Sequence, residues 1–473
     1  MSRISVNVKW LAGIATVISV FTLFNVNASL ALAGLWLPVL FGVLLWREGE
    51  VPVLLFIFML QWLEVFTGVF YSIVRGIPMT AMFGGPELNT AIGLSAAALA
   101  VAAVGARLGL VGARVYPSKQ FLYEARELSV RSLWWAFAGS LVFANIAFQL
   151  SSVSAQIRQI ALALSGVEYV AFFLLAYVVL ARREGYRFLA VAVVIEVGAG
   201  IGGFFADFKQ PLLIIFIAAV GVMVRVTFAR AMLAAGIVTL AILMGVVWSS
   251  IKMDYRDYVS GYTGAQIVVQ PWDDRIEYLL DKIFELDSYD LTEGVEKLAS
   301  RVSYVEFFGY TLRYVPNYMP HEDGRLLGRA IQHIVMPRLL FPDKPALESA
   351  TAKTARYTGI LFHSAQHTSI SLGYVAEAYV DFGKVGMFFP IFALGVIWGL
   401  IYRFFMWRLP SIFGVAFAIT VLLNTAQFGL GFNKILGGTL MSFGVMALVV
   451  IYLLPKVRPR LYQGHVGGET AEG

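Results

Sequence analysis

The sequence predicts an all-α polytopic membrane protein of about twelve transmembrane helices, with one large extracytoplasmic segment. Composition is the first reason. Of 473 residues, 59% are hydrophobic and 14% are charged, and the mean hydropathy is +0.75; a soluble domain carries about 25% charged residues. The second is the run of apolar stretches 16 to 24 residues long. About 20 such residues cross the hydrocarbon core as a helix, and in lipid the backbone must bond internally. A transmembrane barrel would show alternating segments of about 10 residues, and none is present. The third is the placement of basic residues, which follows the spans.

The spans are expected near 10–25, 28–46, 51–74, 88–106, 133–150, 159–181, 188–204, 211–224, 231–250, 385–402, 411–430 and 435–454. The first has a basic flank, Arg3 and Lys9, and is followed by Ala31-Leu32-Ala33, as a cleaved signal peptide would be. Eleven further spans favour a retained helix. With the N-terminus in the cytoplasm, 18 of the 36 Lys and Arg residues lie on the cytoplasmic side and 4 in the short loops opposite. The other 14 fall in the long segment, to which the positive-inside rule does not apply. Both termini are therefore expected inside and the long segment outside.

This divides the chain into an N-terminal bundle of about nine spans (1–250), an extracytoplasmic segment (251–384), about three C-terminal spans (385–455) and a disordered cytoplasmic tail (456–473). Three acids fall within expected spans, Glu64, Glu168 and Glu196. Such residues are either functional or bonded to a neighbouring helix. The chain has no cysteine, which excludes disulfides, thiolate metal sites and a cysteine nucleophile. No basic run or motif suggests nucleic acid.

The chemistry concentrates in the long segment. Residues 251–298 hold 11 acids and 5 bases and read as a solvated, partly helical cap, whereas 299–356 hold 8 bases and 5 acids. Six of those bases are arginine, the residue suited to gripping phosphate through paired hydrogen bonds. On a helical projection of 325–336, Arg325, Arg329, Gln332, His333 and Met336 fall within about 100°. Apolar residues fill the opposite half, so an amphipathic helix at the membrane surface is predicted. Its arginines would grip a lipid phosphate or merely touch headgroups.

PRLLFPDKP follows, Pro337 to Pro345, with three prolines that forbid a helix and present Arg338 and Lys344 on a stiff turn. In HSAQHTSISLGYVAEAYVDFGKVG, residues 363–386, His363 and His367 are four apart. They lack the adjacent Glu of a zinc-protease helix, so no metal is expected. Glu377 and Asp381 are also four apart, in a largely uncharged helix leading into a span. A partly buried carboxylate there suits a general base, or pairs structurally with an arginine. His367 and Asp381 are the other candidates for the base.

Many spans, a long penultimate external segment, the PRLLFPDKP turn and SLGYVAEAYVDFGKVG together resemble the Wzy-type O-antigen and exopolysaccharide repeat-unit polymerases. The match is specific over about 300–400 and general elsewhere; FADFKQP, Phe205 to Pro211, is similar to a short turn of such proteins. The resemblance implies transfer of a growing glycan from undecaprenyl pyrophosphate to the next lipid-linked repeat unit, on a GT-C-like fold without a metal cofactor. Arg338, Lys344 and Glu377 match the family's motifs. Arg301, Arg313, Arg325 and Arg329 complete the expected pyrophosphate-binding set. Expected partners are the lipid-linked oligosaccharide, membrane lipids, and a chain-length regulator and flippase of the same pathway. An O-antigen ligase and a polysaccharide or lipid transporter are the alternatives. Sparse mid-span charge weighs against a transporter.

Overall fold

A computed structural model describes residues 6–47, 50–82, 85–153, 158–201, 209–222, 228–263, 268–336, 341, 343–344, 347–360 and 370–462. The described residues are helical, with a single isolated bridge between Leu128 and Tyr462. The first half holds α1 (Val6–Thr22), α2 (Ala28–Leu45), α3 (Val53–Arg75), α4 (Leu88–Gly109), α5 (Ser118–Glu127), α6 (Val130–Val153), α7 (Arg158–Ser165), α8 (Val167–Arg182), α9 (Tyr186–Ile201), α10 (Lys209–Val222) and α11 (Phe228–Val259). The polar segment holds α12 (Trp272–Glu285), α13 (Ser288–Val302), α14 (Glu306–Tyr314), α15 (Arg325–Val335), α16 (Ala350–Thr358) and α17 (Tyr374–Gly386). The chain closes with α18 (Phe388–Arg408), α19 (Ile412–Leu422), α20 (Phe432–Leu448) and α21 (Leu454–Val457).

Among the described residues, seven stretches are long and apolar enough to cross a membrane: Ala28–Leu45, Val53–Arg75, Leu88–Gly109, Val130–Leu150, Arg158–Arg182, Phe388–Arg408 and Phe432–Leu461. Three shorter apolar helices, Val8–Thr22, Gln210–Val222 and Ile412–Thr425, fall on three more of the twelve expected segments. The remaining two lie on α9 and α11. α11 does not stop near 250 but runs to Val259, burying Ile251 and Tyr255. The first residues of the expected tail are not disordered. Residues 454–461 stay helical, and Arg458 and Tyr462 both bond Glu124 of α5, at 3.0 and 2.9 Å.

The centre of the bundle is a close helix pair, α4 on α18. Gly105 and Gly109 face Gly395 and Gly399 at a four-residue spacing, and each meets backbone of the opposite helix with no room for a Cβ. Small residues let helix backbones approach closely where lipid gives no hydrophobic drive to pair them. Beside this pair α19 is buried along its whole length. It ends at Leu422, and a 3-10 turn, Leu423–Thr425, leads into an irregular stretch that runs to Gly431 before α20 begins. Irregular backbone at such depth is tolerated when protein surrounds it, and here α3 and α17 supply the partners. Residues 371–381 are buried without exception.

The polar segment sits on one end of this bundle. α13 packs on α3 and α11, with Arg75 on Glu296 at 3.3 Å. α14 lies against α4, α16 and α17, and α15 lies along α20 and α17.

Candidate functional site

α15 forms as the sequence predicts. Leu326 and Ala330 are buried, and Arg325, Arg329 and Gln332 are exposed. Its N-cap is Gly324, which sits at φ +85° and has no side chain to bond the free N–H groups of the first turn. Asp381 of α17 does this from a distance. Its carboxylate accepts from Leu326 N at 2.9 Å and Leu327 N at 2.8 Å. Burial pushes the Asp381 carboxyl up from its ordinary value, against those two N–H groups. At the other end Lys344 Nζ donates to the carbonyls of His333 and Met336, at 2.9 and 2.6 Å. An anion therefore holds the positive end of the helix dipole and a cation the negative end. Ile334 packs on Gly437, so α15 rests on the beginning of α20.

A second polar group lies beneath. Glu377 is 2% exposed. Its Oε1 accepts from Lys353 Nζ at 2.9 Å, and its Oε2 from Phe432 N at 2.8 Å. Gly431 packs on the carboxylate so closely that a Cβ there would collide with it. The pair thus ties α16, α17 and the start of α20 together.

Next to it, Tyr374 donates to Gln61 Oε1 at 2.7 Å, and Gln61 Nε2 donates to Thr425 O at 2.6 Å. Glu64 accepts from Gly429 N at 3.1 Å. Tyr304 N donates to Glu64 O, the Tyr304 hydroxyl accepts from Ser371 N, and its ring fills the space above Gly429. The irregular stretch between α19 and α20 is in this way bonded by Gln61 and Glu64 of α3, and Glu377 of α17 takes up the first amide of α20 beyond it. Among the described residues no three His, Cys, Asp or Glu side chains are placed to hold a metal ion.

The structure corrects several expectations. Glu377 and Asp381 share a helix, but neither is an open carboxylate at a surface. Glu377 is a buried ion-pair partner and Asp381 a helix cap, because residues 371–381 pass through the protein rather than over it. Lys344, expected on a turn facing substrate, is buried against carbonyls. The predicted helix around Glu377 does not run straight into a span: Gly383 at φ +67° breaks it before α18. Arg325 is exposed and pairs with Glu322 at 3.5 Å. Arg313 is exposed on α14. Arg301 lies in α13, but its side chain is outside the described residues, as are Arg338, His363 and His367. Of the three mid-span acids, Glu64 joins the site, while Glu168 on α8 and Glu196 on α9 lie near each other and away from it. Sequence reasoning missed Lys353 and Tyr304. Lys353 was visible only as one of eight bases in its stretch, and nothing local distinguished it.

A family model described as a domain of unknown function (DUF8712) matches residues 88–457. No curated protein and no solved structure matches the chain.

Proposed function

The chain belongs to the DUF8712 family, and we propose that it is a membrane glycosyltransferase acting on lipid-linked glycans. It polymerises undecaprenyl-pyrophosphate-linked repeat units into O-antigen or exopolysaccharide on the extracytoplasmic side of a bacterial cytoplasmic membrane. In this reading the twelve expected segments are all spans, arranged in a GT-C-like bundle with both termini inside.

One observation carries the reading. α15 is clamped at both ends, by Asp381 and Lys344, against the start of a long apolar helix, with Arg325 and Arg329 exposed one turn apart. A lipid-borne pyrophosphate sits at the depth where a span begins. Charge develops on its oxygen as the bond to the sugar C1 breaks, and preorganised cations stabilise that charge best. Arginines on a helix held at both termini are preorganised, and their forked donors match phosphate. Asp381 and Lys344 are then positioning residues, and Glu377 with Lys353 fixes the floor on which α17 stands. Arg313, Arg301 and Arg338 are further cations of the same segment.

Deletion of the gene, followed by analysis of surface polysaccharide, tests this. Loss of a polymerase leaves single repeat units on the carrier or surface. Long chains that accumulate unattached would instead mark a ligase, and an unchanged polysaccharide would remove the reading altogether.

A further inference from the structure

One carboxylate outside the clusters described so far has no partner among the described residues. Glu306 opens α14 and is 5% exposed. Among the described residues it forms no hydrogen bond or ion pair, although a buried polar group without one is costly. Its helix, α14, stands beside the candidate site. Two residues before Glu306, Tyr304 is bonded to Glu64 and Ser371. Two residues after it, Phe308 packs its ring on Tyr379 of α17, centroids 5.6 Å apart. α14 itself lies against α16 and α17, the two helices that hold the Lys353–Glu377 pair. At helical spacing Glu306, Gly309, Tyr310 and Arg313 share one face. That face runs from the buried acid to the exposed arginine over about 10 Å, a reach that a pyrophosphate-linked sugar can bridge.

We propose that Glu306 is the general base of the transfer, with Arg313 on the same helix face steadying the donor pyrophosphate. The inference rests on the polymerase reading. In the step, the bond between sugar C1 and the pyrophosphate oxygen breaks and a bond from the acceptor hydroxyl oxygen to C1 forms. The hydroxyl proton passes to Glu306, and undecaprenyl pyrophosphate leaves with the electron pair.

Glu377 is less suited, because both of its oxygens are already engaged. Burial pushes the Glu306 carboxyl up from 4.5 to about 8, with no charged neighbour contributing. The helices around it carry Lys353, Arg356 and Tyr357 on α16 and Tyr374, Glu377, Tyr379 and Asp381 on α17, and Glu87 precedes α4. A base that titrates near 8 works best just above neutrality.

The test uses the full-length protein in lipid vesicles, with lipid-linked repeat units extracted from the deletion strain as substrate. Wild-type turnover should rise with pH and level off near 8. Glu306→Gln should slow it on the order of 10²–10⁴-fold, with the substrate concentration for half-maximal rate unchanged. A second readout needs no activity. The folded protein holds the Glu306 proton up to about pH 8, while the unfolded chain releases it near 4.5. The unfolded state therefore binds fewer protons between those values, and stability falls as pH rises through the window. Melting temperature should drop from pH 5 to pH 8 in the wild type, and less in Glu306→Gln.

A Glu306→Gln protein with wild-type turnover overturns the proposal. Should that variant not fold, Glu306→Asp decides: a displaced rising limb supports the base, and an unchanged limb overturns it. Wild-type protein that makes no polymer from these lipids refutes the polymerase reading itself, an outcome distinct from an active Glu306→Gln.

Discussion

At the scale of single residues, the Lys353–Glu377 pair has two roles to choose between, chemistry and architecture. The geometry favours architecture. Both groups are buried, and each carboxylate oxygen has one donor. Removing one member of such a pair strands the other charge away from water. That typically costs about 3–5 kcal/mol, whereas replacing both members with apolar residues is often neutral. Glu377→Leu and Lys353→Met should each lower the melting temperature sharply, and the double variant should recover much of the loss. Losses that simply add in the double variant would mean that the pair is not coupled, and would return Glu377 to the list of acid–base candidates. Asp381 is read the same way. Two hydrogen bonds from it to the first turn of α15 give it a fixed task, so its nearness in sequence to Glu377 does not make a catalytic dyad.

At the scale of elements, the α4–α18 contact and the clamped α15 show two ways of fixing a helix. The first is backbone approach. A Cβ at Gly395 would fall on Ala102 O, and one at Gly399 on Ala106 O, so the smallest substitution there forces the two helices apart. Overpacking of this kind typically costs about 1–3 kcal/mol. Gly93 lies on α4 as well, with nothing near the position of its Cβ. Alanine there gains about 0.5–1 kcal/mol of helix propensity. Gly395→Ala should therefore lower the melting temperature in detergent, while Gly93→Ala leaves it unchanged or raises it. Equal effects from the two would contradict the close-packed pair. The second way is polar. α15 has few residues facing the protein, so Asp381 and Lys344 do at its ends what packing does for the longer helices.

For the whole molecule, orientation decides whether the polar segment can meet a lipid-linked glycan at all. From the 18-to-4 distribution of basic residues around the expected spans, Lys119 and Arg183 are expected in the cytoplasm and the segment around Asp290 outside. Reporter fusions at Lys119 and Arg183 should report cytoplasm, and fusions at Asp290 the opposite side. A cytoplasmic Asp290 would overturn the orientation, and with it the extracytoplasmic reaction. The contacts of α13 with α3 and α11 and of α15 with α20 bring the polar helices onto one end of the bundle, so a single orientation serves them all.

The sequence by itself determined the helical class, most of the long apolar helices and the amphipathic character of 325–335, because each depends on composition or on a period within one stretch of chain. It also marked Glu377 and Asp381 as unusual, as carboxylates in a run of small and apolar residues. It could not say what they bond. Glu377 meets a lysine 24 residues away and an amide N–H 55 residues away, and Asp381 meets amides 55 and 54 residues away. No local pattern encodes such pairs. Lys344 misled for the same reason, since a lysine on a proline-rich turn reads as exposed until the end of α15 is seen to occupy it. The isolation of Glu306 was equally hidden. Whether a carboxylate is buried and left without a partner depends on every helix packed around it, and only the tertiary structure decides that.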